Sequence, residues 1–305
     1  MNEPIFIVGM GRSGTSFLTG ALDRHPGISM YSESWFFTHI WKGAGRRSLG
    51  RDPVAIDRAI GKFQNLERAN ISPDVLRERF LATDGSQEAL LDTLLRLKME
   101  QDGKRRFGEK TPNHFLFLEE ILRIYPDAKI IFTYRDPRDT FSSFKHGPYC
   151  QELRLLDRFV VGRALLWNAA MRALSRHASG VPPDQLRIVR FEDMVSAPEE
   201  TLRSLCEFLG EPFDDDMLQA KTYSSFAAPE GSDGDGEGSR DRRKYLRGWE
   251  LLTIELICGQ HLVERGYPTT IVPAAAIHVF RRAGFYTLLR GFHAVAKKAR
   301  GRGVP

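Results

Sequence analysis

The residues best suited to chemistry lie in three short stretches of the 305-residue chain. The first, Gly9-Met10-Gly11-Arg12-Ser13-Gly14-Thr15-Ser16, has the G-x-x-x-x-G spacing of a phosphate-binding loop and stands between an apolar run and a helical pattern. In that setting, backbone N–H groups and a helix N-terminus cradle an anion. The Walker pattern needs lysine where this chain has Thr15, and the positive charge stands three residues earlier, at Arg12. A nucleotide triphosphatase that uses that lysine on the β- and γ-phosphates is therefore disfavoured. A plain strand-to-helix turn is the bland alternative, but such turns seldom hold Arg, two Gly, Thr and Ser together.

The second stretch runs from Tyr134 to Ser143, with Arg135 placed at the end of an apolar run and Ser143 about two turns into the next helix. An arginine fork and a hydroxyl so placed can converge on one phosphate. Taken alone, Arg135 and Arg138 read slightly better as helix-entry charges paired with Asp136 and Asp139. The third stretch, Glu109-Lys110-Thr111-Pro112, is weak by itself, because a lysine before a proline-started helix is usually a solvated surface residue. The three in combination are far more specific.

These residues need a scaffold, and the apolar patterning supplies one. Pro4 to Val8 reads as a core strand, followed by the first loop and a helix through Phe17, Leu18, Ala21 and Leu22 that ends at His25-Pro26-Gly27. Residues 36–107 read as a helical insert, with three- and four-residue apolar spacing interrupted at Gly61, Pro73 and Gly85. A helix from Phe115 to Tyr125, a strand from Lys129 to Tyr134, a helix over about 153–177, a strand from Leu186 to Phe191 and a helix from Ala197 to Leu209 complete the pattern. Strands alternating with helices predict an α/β fold, a three-layer α/β/α arrangement around a central parallel sheet. Residues 229–241 are glycine-rich and free of apolar side chains, which predicts a mobile loop. Its acids Asp233, Asp235 and Glu237 imitate half of a calcium loop, but Lys244 stands where the closing glutamate is required, so no metal site is expected there.

With loop, Arg…Ser pair and lysine in this order, the sequence resembles the sulfotransferases that use 3′-phosphoadenosine 5′-phosphosulfate (PAPS). Their fold is that of the P-loop-containing nucleoside triphosphate hydrolases. The resemblance implies that Gly11, Arg12, Ser13, Gly14, Thr15 and Ser16 grip the 5′-phosphosulfate, and that Arg135 and Ser143, eight residues apart, grip the 3′-phosphate. It continues through Arg190-Phe191-Glu192-Asp193-Met194, Pro198 and Phe208-Leu209-Gly210, and covers about residues 4–268. The histidine that small-molecule members place two residues after the lysine is replaced here by Pro112. Around the first loop the chain is more similar to tyrosylprotein sulfotransferases and bacterial relatives, in which a glutamate follows a helix ending in His-Pro. That implies Glu33 as general base, with Lys110 and Arg12 stabilising the charge that develops during transfer. A polar turn over Ser32-Glu33-Ser34 is the competing reading, with His114 and His146 as replacement bases. Arg242, Arg243 and Lys244 read equally as residues that close over the 3′-phosphate and as solvated charges at a loop exit.

The implied reaction passes a sulfuryl group from PAPS to a hydroxyl-bearing acceptor, a glycan, lipid, phenol or peptidyl tyrosine, leaving 3′-phosphoadenosine 5′-phosphate (PAP) and requiring no metal. A kinase or triphosphatase, or a nucleotide-binding protein without transferase activity, are the alternatives. Magnesium-dependent ATP turnover would mark the former, and PAP affinity without transfer the latter.

Composition agrees with a soluble globular chain: 42% hydrophobic and 27% charged residues. Three cysteines without C-x-x-C spacing, no membrane-length apolar run and no leader pattern suggest a reduced, cytoplasmic location. Residues 271–305 hold seven Arg or Lys and no acid, so the net charge of +5 leaves the preceding residues at −2. A nucleic-acid partner is not expected, because the charge that would hold a phosphate backbone is confined to this tail. The sequence accordingly divides into a domain over 1–268 and a basic tail over 269–305. From about 274 to 300, Ile277, Phe280, Leu288, Phe292 and Val295 share one helical stripe opposite Arg282, Arg290, Lys297 and Arg300. Such a helix either packs on the domain, the commoner outcome, or lies on anionic lipid. Co-sedimentation with anionic vesicles separates these: a lipid-binding tail gives binding by the full chain that is lost in a chain ending at Thr270, and equal, negligible binding by both removes the membrane reading.

Overall fold

In a computed structural model, residues 3–41, 43, 48–145, 156–220 and 246–270 are described. Cys150, His146, the 229–241 segment, Arg242, Arg243, Lys244 and the basic tail from residue 271 lie outside them. The chain forms two compact units, one of residues 1–135 and 170–237 and the other of 136–169 and 238–305.

The first unit is built on a five-stranded sheet in the order β2-β3-β1-β4-β5, with every neighbouring pair parallel. The strands are β1 (Ile5–Gly9), β2 (Ile28–Ser32), β3 (Arg106–Lys110), β4 (Lys129–Tyr134) and β5 (Leu186–Arg190). Alternation of side chains across the pleat divides the core between two faces. On one face, Ile5, Ile7, Ile28, Met30 and Ile131 pack with Leu18 and Leu22 of α1 (Thr15–Arg24) and with Leu202, Leu205 and Leu209. On the other, the Phe6 ring meets Tyr125 at 5.3 Å and Phe132 meets Phe115 at 6.2 Å between centroids. Helices therefore cover both faces, as a parallel sheet requires.

The insert contains α2 (Phe36–His39), α3 (Pro53–Ile60), α4 (Pro73–Leu81) and α5 (Gln87–Gln101). Pro73 opens α4 and Gly61 caps α3, as the interruptions in the pattern predict. The helices end sooner than expected, because Arg106 and Phe107 already belong to β3. Neither β2 nor β3 is evident in the sequence. The expected helix at 115–125 divides into a 3₁₀ turn over Pro112–Phe117 and α6 (Leu118–Ile124).

The second unit contains α7 (Pro137–Lys145), the first part of α8 (Leu156–Ala178) and α11 (Gly248–Glu264), the last of which the sequence pattern did not reveal. α9 (Phe191–Ser196) and α10 (Pro198–Leu209) return to the first unit, with Phe191 opening a helix rather than ending β5. Arg138 stands in the first turn of α7 and pairs with Asp136, as the helix-entry reading has it, but it does so inside the protein. It is fully buried, bonded to Asp136 through both carboxylate oxygens and to Glu255 at 2.9 Å, and Glu255 also accepts the Thr270 N–H and hydroxyl at 2.8 and 2.7 Å. Cys206 and Cys258 are buried free thiols.

Candidate active site

Ligands of open parallel sheets gather beyond the carboxyl ends of the strands, where the strand order reverses. Here that point is β1, with β3 on one side and β4 on the other. Four predicted site elements stand on this edge in strand order: Glu33 after β2, Lys110 ending β3, the glycine loop after β1, and Arg135 after β4. At about 4.8 Å between neighbouring strands, the row spans roughly 15 Å, a length suited to a nucleotide.

The loop leaves β1 at Gly9, whose φ of 130° and tight approach to the neighbouring strand admit no side chain. A Cβ there would lie 1.9 Å from the Thr133 carbonyl oxygen. Arg12 adopts a left-handed φ of 72°, and Gly14 follows at 81° as the N-cap of α1. A Cβ on Gly14 would meet Met194 at 2.2 Å and Phe191 at 2.9 Å, so α9 supports the loop from beneath. Among the described residues, no side chain caps α1, whose N-cap is Gly14. Its first N–H groups are thus open to an external acceptor. The Ser13 hydroxyl is buried and has no hydrogen-bond partner among the described residues. A buried hydroxyl in that state implies a ligand, since most such groups are satisfied. Together these features fit a phosphate or phosphosulfate.

Phe191 also lies under Arg135, whose guanidinium carbon stands 4.1 Å from the ring centroid. This cation–π contact orients the guanidinium of a residue that is only 5% exposed. The segment beginning at Phe191 therefore contributes to the donor loop and to Arg135 at once. Ser143 lies in α7 of the second unit, six residues after Pro137.

On the other side of β1, Lys110 is not a solvated surface lysine. It is 1% exposed, and its Nζ donates to Glu33 Oε1 at 2.7 Å. The pairing follows from register. Ser32 of β2 lies opposite Lys110 of β3, so the next residue, Glu33, turns over the strand end, its N–H donating to the Lys110 carbonyl at 2.6 Å. The Glu33 side chain remains 22% exposed, so one member of the pair faces solvent. Glu33 and Trp35 both adopt left-handed φ angles, 60° and 54°. Such conformations cost non-glycine residues about 1–3 kcal/mol each and persist only where their surroundings impose them.

The surroundings are a polar cluster that the sequence did not suggest. Glu109 is fully buried. Its Oε1 accepts the Ser34 N–H at 3.1 Å, the Ser34 hydroxyl at 2.8 Å and the Thr111 hydroxyl at 2.5 Å, and its Oε2 meets His114 Nδ1 at 3.1 Å. Burial pushes the Glu109 carboxyl up, but the adjacent His114, by charge and hydrogen bond, and the Thr111 and Ser34 donors together hold it below the usual glutamate range. Asn65 donates to the Ser32 carbonyl at 3.0 Å and the Glu33 carbonyl at 3.4 Å. His114, the replacement base, is fully buried, with its ring edge-on to Phe37 at 5.0 Å. It is placed to serve Glu109 rather than an incoming acceptor.

A model of the sulfotransferase family matches residues 4–215. The protein-tyrosine sulfotransferase of Drosophila melanogaster is 23% identical over 236 residues, which is 72% of this chain and 40% of that protein. The chain spans between about a quarter and a half of the length of the first curated relatives it matches. Among solved structures, the sulfotransferase domain of the Synechococcus olefin synthase superposes with a TM-score of 0.56 at 20% identity, covering 86% of this chain and 96% of that one. Mouse sulfotransferase SULT7A1, complexed with PAP, gives 0.50 at 17% identity, covering 92% and 88%. The fold is thus the P-loop-containing one shared by these structures.

Proposed function

Because the chain belongs to the sulfotransferase family, we propose that it transfers a sulfuryl group from PAPS to an acceptor hydroxyl, with Glu33 as general base. The observation that carries the reading is the 2.7 Å pair between buried Lys110 and half-open Glu33 on the strand edge beside an uncapped phosphate loop. When bound, PAPS supplies an electrophilic sulfur, whose bond to the 5′-phosphate oxygen breaks as the bond to the acceptor oxygen forms. The work of the chain is to hold the anions and to move one proton.

Glu33 takes the proton of the acceptor hydroxyl as that oxygen attacks. Lys110, Arg12 and the N–H groups opening α1 face the charge that collects on the departing oxygen and the sulfuryl oxygens, where preorganised donors have most effect. The Ser13 hydroxyl and Thr15 and Ser16 complete the phosphate cradle. Arg135 and Ser143 recognise the 3′-phosphate, and Arg242, Arg243 and Lys244 are positioned in sequence to close over it. No residue group in this scheme requires a metal ion. The acceptor is a hydroxyl of a glycan, lipid, phenol or peptidyl tyrosine, and a screen of these classes with labelled PAPS tests the reading. Labelled product from none of them, with PAP still bound tightly, would leave a binding protein instead. A cytoplasmic enzyme whose basic tail touches anionic lipid is consistent with the same chemistry, and the vesicle experiment reads that contact.

Arg135→Ala is expected to weaken PAP binding about ten- to a hundredfold, the effect of losing a charge-assisted bond of about 1.5–3 kcal/mol. Calorimetry with PAP and with adenosine 5′-phosphate checks it. Equal losses for both ligands would show that Arg135 does not read the 3′ group.

A further inference from the structure

The Glu33 turn is held at every backbone donor. Glu33 N–H is taken by the Lys110 carbonyl, Ser34 N–H by Glu109, Trp35 N–H by the Thr111 hydroxyl at 3.3 Å and Phe36 N–H by the Ser34 hydroxyl at 3.3 Å. Three of these donors, those of Ser34, Trp35 and Phe36, end on Glu109 or on a hydroxyl that Glu109 itself holds. Adjacent strand residues point to opposite faces of the sheet. Lys110 thereby meets the Glu33 carboxylate from one side, while Glu109 meets the following residue from the other.

We propose that Glu109 is a positioning residue for the base: by accepting Ser34 and Thr111, it imposes the left-handed turn that aims Glu33 over the strand edge. The inference rests on the reading of Glu33 as base. Three donors converge on a single oxygen of Glu109, Oε1, an arrangement suited to an ionised carboxylate. The depressed Glu109 carboxyl agrees with this geometry. His114, packed between Phe37 and Phe117, holds the second oxygen and so fixes the carboxylate plane. Nothing in this cluster reaches the phosphate loop through a hydrogen bond among the described residues. Its effect should therefore fall on proton transfer and leave donor binding alone.

A double-mutant cycle separates positioning from general support of the fold. Thr111→Val removes one hydroxyl at nearly constant volume, and Ser34→Ala provides a second, independent variant. Each is made in the native chain and in Glu33→Gln. The readout is single-turnover breakdown of enzyme-bound labelled PAPS with water as the acceptor, alongside the PAP dissociation constant. In the native background each variant should slow breakdown about ten- to a hundredfold, the scale of a misplaced catalytic group, with PAP affinity within about twofold. In the Glu33→Gln background each should have no further effect, because the group they orient is gone. Equal losses in both backgrounds, or no loss in the native chain, would overturn the proposal. If Glu33→Gln alone breaks down PAPS at the native rate, the base assignment fails first and the positioning role fails with it.

Discussion

Glu33→Gln is expected to lower turnover by about 10²–10⁴ while leaving PAP affinity nearly unchanged. The substitution keeps the size of the side chain, and its amide oxygen can still accept from Lys110 Nζ, now 2.7 Å from Glu33 Oε1. The turn, the strand edge and the buried lysine therefore stay in place, and only the basicity is removed. Steady-state turnover on whichever acceptor the screen identifies, with PAP calorimetry as the control, measures this. Near-native turnover would end the assignment, and the burial of His114 against Phe37 makes that residue a poor substitute. The search would then pass to His146.

Lys110→Ala is expected to slow turnover by about 10²–10³, comparable to losing a donor aimed at developing negative charge. Unlike the Glu33 variant it should also weaken PAP binding, because in the proposed reaction the lysine acts on the oxygen that the product retains. Lys110→Arg should not restore activity. The lysine side chain is 1% exposed and its Nζ lies 2.7 Å from Glu33 Oε1, so a longer, planar guanidinium would not keep the same point contact. Parallel measurement of turnover and PAP affinity for both variants tests the prediction. A Lys110→Ala enzyme within about threefold of native turnover would remove this residue from the chemistry.

The two predictions depend on residues whose readability differed. The central strands β1 and β4 carry continuous apolar runs, buried on both faces, and the glycine loop and Arg135 follow from them directly. β3 has the sequence Arg-Phe-Gly-Glu-Lys and hides its identity, because its charges are met by partners that no strand pattern shows, several of them distant in the chain. Arg106 is buried against the Leu209 carbonyl and Glu211, Glu109 against Ser34, Thr111 and His114, and Lys110 against Glu33. Gly108 is required by packing, since a Cβ there would lie 2.3 Å from the Met30 sulfur. Local periodicity contains none of these facts. β2 was hidden for a simpler reason: its Ile-Ser-Met-Tyr-Ser follows His-Pro-Gly without an alternating pattern long enough to register. The same limit applies to Arg138, whose pairing with Asp136 reads from the sequence as a helix entry but whose second partner, Glu255, lies over a hundred residues later.

Glu255 also bears on where the chain can be cut. A boundary drawn at residue 268, where the family resemblance fades, falls two residues before Thr270, whose N–H and hydroxyl both end on the Glu255 carboxylate. A truncation there would strip a fully buried acid of two of its donors. Shortened forms intended for crystallisation or for separating the basic tail should therefore retain Thr270. Otherwise a loss of solubility or of donor affinity would be charged to the missing tail when its source is a buried carboxylate deprived of two donors inside the second unit.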